Sequence, residues 1–486
     1  MESQVSKELI ITFLPSEESA VCVITLGEKE IGRFPVKRQE DKATISSAFS
    51  AIAKQLGVRA VIKEKASGEE ILWSPVKIGA LNAKNRFAVL PMEGADAGKD
   101  GSLTAGCMER YHAYCAGGAA VICLEAVTLQ YESRSRDRQL LFDVRDPQSR
   151  ASWEAFIRSL KIQYPDTILI FQFHHAGETA DPSFSRRVCV KPLPGFGGDV
   201  IDESYIEDYI RRQVETAEFL YGIGVDGVDL KLCHGYLGSQ LLRPYNDRNW
   251  KYGGSWENRS RFAFETCEKI RSRIPDHHFL LGARVSMYEE MPGGQGHAGA
   301  DSPYIDLRES IALIQGLEQR GCDFFGETIG NASLYWENMA PDRSCAVNVY
   351  KHASMAKRMK EHLRPETIVI GAGMSVLGDG TENGLRGIEA EKSSLPAFGS
   401  SCIRDGGMDL IGLGRQSLAD PELPRKLRDG RRKEIHRCRT CNLCSELEMR
   451  QQSIGCPVYR ETYRTLLQKV RKEYGKPERI ITGDGE

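Results

Sequence analysis

The chain has 486 residues, more than one ordinary domain unless a barrel takes most of it. Its 41% hydrophobic and 27% charged content is that of a globular protein. A net charge of −2 implies no attraction to nucleic acid or to a membrane surface. With no apolar run long enough to cross a bilayer and no signal peptide, a cytoplasmic protein is expected.

Residues 1–71 are expected to form a small α+β domain, for packing or oligomer formation. Residues 9–14 and 21–26 have strand character, and 59–63 and 70–73 are further strand candidates. Residues 46–56 suit an amphipathic helix, because Ala48, Phe49, Ile52, Ala53 and Leu56 share one face.

From there eight apolar stretches alternate with helix-length segments: 87–90, 119–125, 168–173, 227–232, 280–285, 324–328, 367–371 and 409–413. Strand–helix alternation of this kind predicts a (β/α)8 TIM barrel over 72–434, and its span of roughly 350 residues suits one with insertions. Functional groups of such barrels follow the strands, at the C-terminal mouth. The fourth stretch delivers Lys231, His234 and Tyr236 within six positions of one strand end. Such groups are not buried cheaply unless paired or wet. Bringing all three to one side requires a turn near Cys233, which Gly235 favours. The fifth stretch carries Arg284, and a buried arginine needs an anionic partner. Gly373 follows the seventh, and Gly414-Arg415 the eighth. Glycines there let backbone N–H groups approach a phosphate at a helix N-terminus, and Arg415 offers it a bidentate contact.

The last segment, 435–486, holds Cys438, Cys441 and Cys444, then eleven residues, then Cys456. Four cysteines so close in a reducing compartment suit a metal site, either zinc or an iron–sulfur cluster. The other ten are scattered and suit small core positions.

Two runs carry a resemblance: His234-Gly235-Tyr236-Leu237, and Tyr252-Gly253-Gly254-Ser255-Trp256-Glu257-Asn258-Arg259-Ser260-Arg261-Phe262. They resemble the signature of the Old Yellow Enzyme superfamily of flavin oxidoreductases, in the branch of 2,4-dienoyl-CoA reductase and trimethylamine dehydrogenase. The pattern begins at Leu72 and does not cover the residues before it. The resemblance implies FMN, with Pro91, Met92, Ala126, Gln172, Arg284, Gly373, Gly414 and Arg415 around it. It makes Tyr236 the proton donor to the α-carbon, with Lys231 and His234 holding the substrate oxygen. It also implies that Cys438, Cys441, Cys444 and Cys456 hold a [4Fe–4S] cluster, although that branch usually has three residues between the second and third cysteines and this chain has two. With only residues 457–486 after the last of these cysteines, the pyridine-nucleotide domain of multidomain members is not expected in this sequence.

The expected function is thus hydride transfer from NAD(P)H, or electrons from a redox partner protein, through FMN to the C=C bond of an unsaturated carbonyl or acid. Lys231, where relatives have histidine, is a fixed point charge, and it points to an anionic substrate. Glu93 stands where the family has a small polar residue. A carboxylate there would oppose reduced, anionic flavin unless it points away or is protonated. Alternatives are an amine dehydrogenase, which would want an aromatic cation-binding pocket, and an FMN/iron–sulfur electron-transfer subunit. A homo-oligomer is compatible with all of these.

Overall fold

The structure is a computed structural model that describes residues 8–15, 20–26, 29–36, 39–55, 58–64, 68–334, 336–342, 345–378 and 394–475. It divides into two units, Met1–Ile71 and Leu72–Glu486.

In the first unit, β1 (Glu8–Pro15), β2 (Ala20–Leu26), β3 (Lys29–Val36) and β4 (Arg59–Glu64) form one sheet in the order β3-β2-β1-β4. β1 is antiparallel to β2 and parallel to β4. The parallel pair needs a crossover, and the helix Gln39–Gln55 provides it. β3 was not expected, because Gly32 and Pro35 interrupt its pattern; an edge strand tolerates both. Residues Glu70–Trp73 form a 3-10 turn instead of the expected strand, since so short an apolar run has no decisive period. The helix packs through Ile45, Phe49 and Ala53, one residue per turn, against Leu9, Ile11 and Cys22. Ala48 and Ile52 are exposed, so the apolar stripe is narrower than its composition suggested. Leu56 lies outside the described residues.

The second unit is the expected barrel. A short hairpin, β5 (Val76–Ile78) and β6 (Leu81–Ala83), precedes β7 (Phe87–Val89), β8 (Val121–Thr128) and β9 (Ile168–His174). A two-residue pair, β10 (Val188–Cys189) and β11 (Asp199–Val200), is an insertion. Then come β12 (Gly227–Leu232), β13 (Leu280–Ser286), β14 (Phe324–Thr328), β15 (Ile368–Gly371) and β16 (Leu410–Leu413). The closed order is β12-β13-β14-β15-β16-β7-β8-β9, with every neighbouring pair parallel. Strands covered on both faces carry continuous apolar runs, which is why all eight were legible. Ile78 and Ala83 of the hairpin join the core that fills the barrel, with Ile170, Leu280, Phe324 and Ile370. Gly282 makes room for this filling: a Cβ there would lie 2.3 Å from the Phe324 ring. Packing of this kind closes the lower end and leaves the upper mouth for chemistry.

Candidate active site at the barrel mouth

Register brings the first polar groups together. Asp229 pairs with Gln172 across β12 and β9, and Lys231 pairs with Arg284 across β12 and β13. Partners in register point to the same side of a parallel sheet, so these four side chains share one face. Gly326, beside Arg284 on β14, leaves space for it; a Cβ would sit 3.3 Å from Arg284 Cγ.

After Leu232 the chain turns sharply. His234 and Gly235 both have left-handed backbones, with φ of 64° and 81°. A histidine is rarely held there, and two hydrogen bonds fix it. Its N–H donates to Ser286 Oγ (3.1 Å), and Nε2 lies 2.8 Å from Thr328 Oγ1. A side chain at 235 would strike Asn331. Tyr236 then caps the helix Leu237–Leu242.

Lys231, His234 and Tyr236 consequently line one cavity of about 1000 Å³, counting the part open to solvent. Pro91, Met92, Gln172, Arg284, Gly373, Gly414 and Arg415 also line it. Ala126 does not. It is fully buried beside an irregularity in the β8–β9 ladder, and its carbonyl accepts from Gln139 Nε2 (2.8 Å).

Several wall atoms await a ligand. Gln172 Nε2 donates to Asp229 Oδ2 (2.6 Å), while Gln172 Oε1 is buried without a partner. Arg284 Nε is also buried and unpartnered. At Gly414 an added Cβ would meet nothing nearer than 3.6 Å, and its neighbours Met92, Ser375 and Leu90 all line the cavity. It would therefore fill the cavity rather than clash. An acceptor, a cationic donor and an open glycine cradle suit a planar, polar-edged group with a phosphate, as FMN is. Arg415 suits it less simply than expected. Nη1 donates to Asn442 Oδ1 (2.5 Å) and Nη2 to the Pro341 carbonyl, so the bidentate fork is already committed. Its charge and Nε remain for a phosphate.

On the other side of the mouth the charges are paired. Lys231 Nζ lies 3.4 Å from Glu93 Oε1 and 4.0 Å from the centre of the Tyr236 ring. Arg136 Nε lies 3.6 Å from Glu93 Oε2, and its Nη2 donates to Glu448 Oε1 (2.6 Å). Lys231 is thus no isolated charge: its ammonium is already paired with Glu93. Burial lowers the Lys231 pKa, with Glu93 opposing. Burial lifts the Tyr236 phenol well above its ordinary value, and Glu93 adds to this, so the hydroxyl keeps its proton. Burial holds His234 far below the usual imidazole range, helped by Arg284 and Lys231, and the ring is neutral. Arg136 and Glu448 were not anticipated. Arg136 sits in the run Ser133-Arg134-Ser135-Arg136-Asp137-Arg138, whose composition suits a solvated loop. Only their meeting across the mouth marks them.

His175 has a structural place: Tyr205 Oη lies 2.8 Å from Nε2, and Nδ1 accepts from the Gly177 N–H. Tyr335 and the side chain of Trp336 lie outside the described residues.

The cysteine segment forms part of the same wall through Cys444, Ser445 and Glu448. Burial pushes the Cys438 thiol up to about 11 and the Cys444 thiol up to about 12; each is also affected by the other cysteines and by Arg415. Among the described residues, no group of three or more His, Cys, Asp or Glu side chains is arranged to hold a metal ion. The donor set itself, cysteine sulfur alone, has the chemistry of an iron–sulfur or zinc site. Also among the described residues, no helix is long and apolar enough to cross a membrane.

Residues 71–372 match the model of the NADH:flavin oxidoreductase / NADH oxidase family. The chain is similar to an NADH oxidase of Thermoanaerobacter brockii, with 28% identity over 76% of this chain and 53% of that one. A cinnamate reductase of Clostridium sporogenes is 26% identical, over 76% and 55%. A dimethylamine dehydrogenase of Hyphomicrobium is 27% identical, over 77% and 48%. The chain therefore spans about half the length of these curated relatives.

Proposed function

Because the chain belongs to the NADH:flavin oxidoreductase / NADH oxidase family, part of the Old Yellow Enzyme superfamily, we propose that it is an FMN-dependent reductase of C=C bonds conjugated to a carbonyl, with NAD(P)H as reductant. The observation that carries this reading is the phenol of Tyr236, buried, protonated and facing the cavity beside a neutral histidine.

Bound FMN would supply the hydride. Gln172, Arg284, the backbone at Pro91 and Met92, and Gly373, Gly414 and Arg415 would hold it. A fixed cation at Arg284 would favour an anionic reduced ring. Were the Thr328 hydroxyl to donate to Nε2, the His234 ring would carry its proton on Nδ1 and could offer it to a carbonyl oxygen. That hydrogen bond would stabilise charge developing on the oxygen. Tyr236 then gives its proton to the α-carbon, and the Lys231 ammonium over the ring stabilises the phenolate left behind.

The four cysteines are proposed as ligands of a [4Fe–4S] cluster. Their segment borders the cavity, which would let such a cluster exchange electrons with the flavin. The amine dehydrogenase reading is less well supported, because amine oxidation has no use for a buried, protonated phenol such as Tyr236 in the cavity wall.

The test is anaerobic. Protein reduced by NADH or NADPH is mixed with 2-cyclohexenone, and the flavin spectrum and products are followed. Reoxidation with one saturated ketone per flavin supports the proposal. Reoxidation by a protein partner alone supports an electron-transfer subunit, and reduction by dimethylamine supports amine oxidation.

A further inference from the structure

Among the described residues, six charged side chains line the cavity: Glu93, Arg136, Lys231, Arg284, Arg415 and Glu448. Four cations less two carboxylates leaves two positive charges. Among the described residues, Arg284 and Arg415 have no carboxylate within 4.0 Å, so the excess sits on them. Bound flavin, whose phosphate carries about −2 near neutral pH, would take up this excess, with Arg284 at its ring and Arg415 at its phosphate. Nothing positive is then left over at the substrate end.

That end is closed by pairing. Glu93 lies between Lys231 (3.4 Å) and Arg136 (3.6 Å, an ion pair without a hydrogen bond), and Glu448 takes the other side of Arg136 (2.6 Å). The Lys231 and Glu93 side chains are only 7% and 11% exposed. A substrate carboxylate entering here would lose its water, meet cations already neutralised, and face two carboxylates in the same wall. Burying a charge without a free partner is strongly unfavourable. A carbonyl oxygen without charge needs only a donor, and His234 would be one with its proton on Nδ1.

Resting on the reductase reading above, we propose that Glu93 determines specificity: by holding Lys231 and Arg136 it restricts the acceptor to uncharged unsaturated carbonyl compounds and rejects free unsaturated acids. The two cations suited to a carboxylate are present, but they are masked by this residue. Discrimination then arises from a repulsive element as much as from an attractive one.

Two ligands with one skeleton test this, cinnamamide and cinnamate, titrated by calorimetry into the oxidised FMN-loaded protein without reductant. The wild-type protein should bind cinnamamide at least about tenfold more tightly than cinnamate. In Glu93→Gln, cinnamate should gain about tenfold or more while cinnamamide changes little. Glu448→Gln, which removes one of the two partners of Arg136 and none of Lys231, should move cinnamate the same way by less. Equal wild-type affinities, or an unchanged ratio in an FMN-loaded Glu93→Gln protein, would overturn the proposal. The wild-type ratio stands on its own if a variant does not fold. Mixing cinnamamide with the reduced protein separates the two ideas: bound cinnamamide that never reoxidises the flavin removes the reductase reading and leaves the charge selection intact. Absence of binding by either ligand to any of the proteins overturns both.

Discussion

Glu93 and Lys231 are 138 positions apart in the chain. Each alone departs from its family pattern, and each alone suggested a different consequence. Together they form an ion pair whose ammonium lies over the Tyr236 ring. No local pattern could reveal this, because barrel closure brings the ends of β7 and β12 to one mouth. Tyr236, His234, Gln172 and Arg284 were legible for the opposite reason: each closes or follows a continuous apolar strand. Asp229 offers a separate test at this scale. Burial pushes its carboxyl up to about 6, against the Gln172 hydrogen bond. A carboxyl raised by folding holds its proton more tightly in the native state. Its contribution is therefore complete below about pH 4 and is lost as pH rises through about 6. Relative to Asp229→Asn, the wild-type protein should lose about 1–3 kcal/mol across that window and level off above it. Urea unfolding of both proteins through the window checks this; a constant difference would contradict the assignment.

Among the elements, the turn after β16 and the cysteine segment act together. Arg415 follows Gly414 and donates to Asn442, which lies between Cys441 and Cys444. Asn442 in turn donates to Asp342 (2.8 Å). Arg415→Ala should therefore weaken FMN retention and also loosen the cysteine segment. Flavin released on gel filtration, with iron counted in the same fractions, reads both effects. Full flavin occupancy in that variant would remove Arg415 from the phosphate site. Anaerobically purified protein should contain about four iron and four labile sulfide per chain. Stoichiometric zinc without iron would instead mark the segment as a structural clip. The eight barrel strands were legible within about two residues at most ends. The first unit was less so, because its elements are short and half-exposed: β3 carries a proline, and the stripe of its helix narrows to Ile45, Phe49 and Ala53.

At the scale of the whole molecule, the division at Ile71 and Leu72 separates a small sheet unit from everything that lines the cavity. A chain beginning at Leu72 should fold and retain FMN; loss of flavin with retained helical circular dichroism would show that the first unit supports the site. The cavity, its charges and the cysteine segment belong to the larger unit, and their agreement supports a flavin reductase with its own proton donor. The most direct measurement follows the two half-reactions of wild-type and Tyr236→Phe proteins by anaerobic stopped flow. Reduction by NAD(P)H should be nearly unchanged in the variant, while reoxidation by 2-cyclohexenone should slow by about 10²–10⁴-fold, the range expected for loss of a general acid. Reoxidation at the wild-type rate would contradict the account, since the proton would then come from elsewhere than Tyr236.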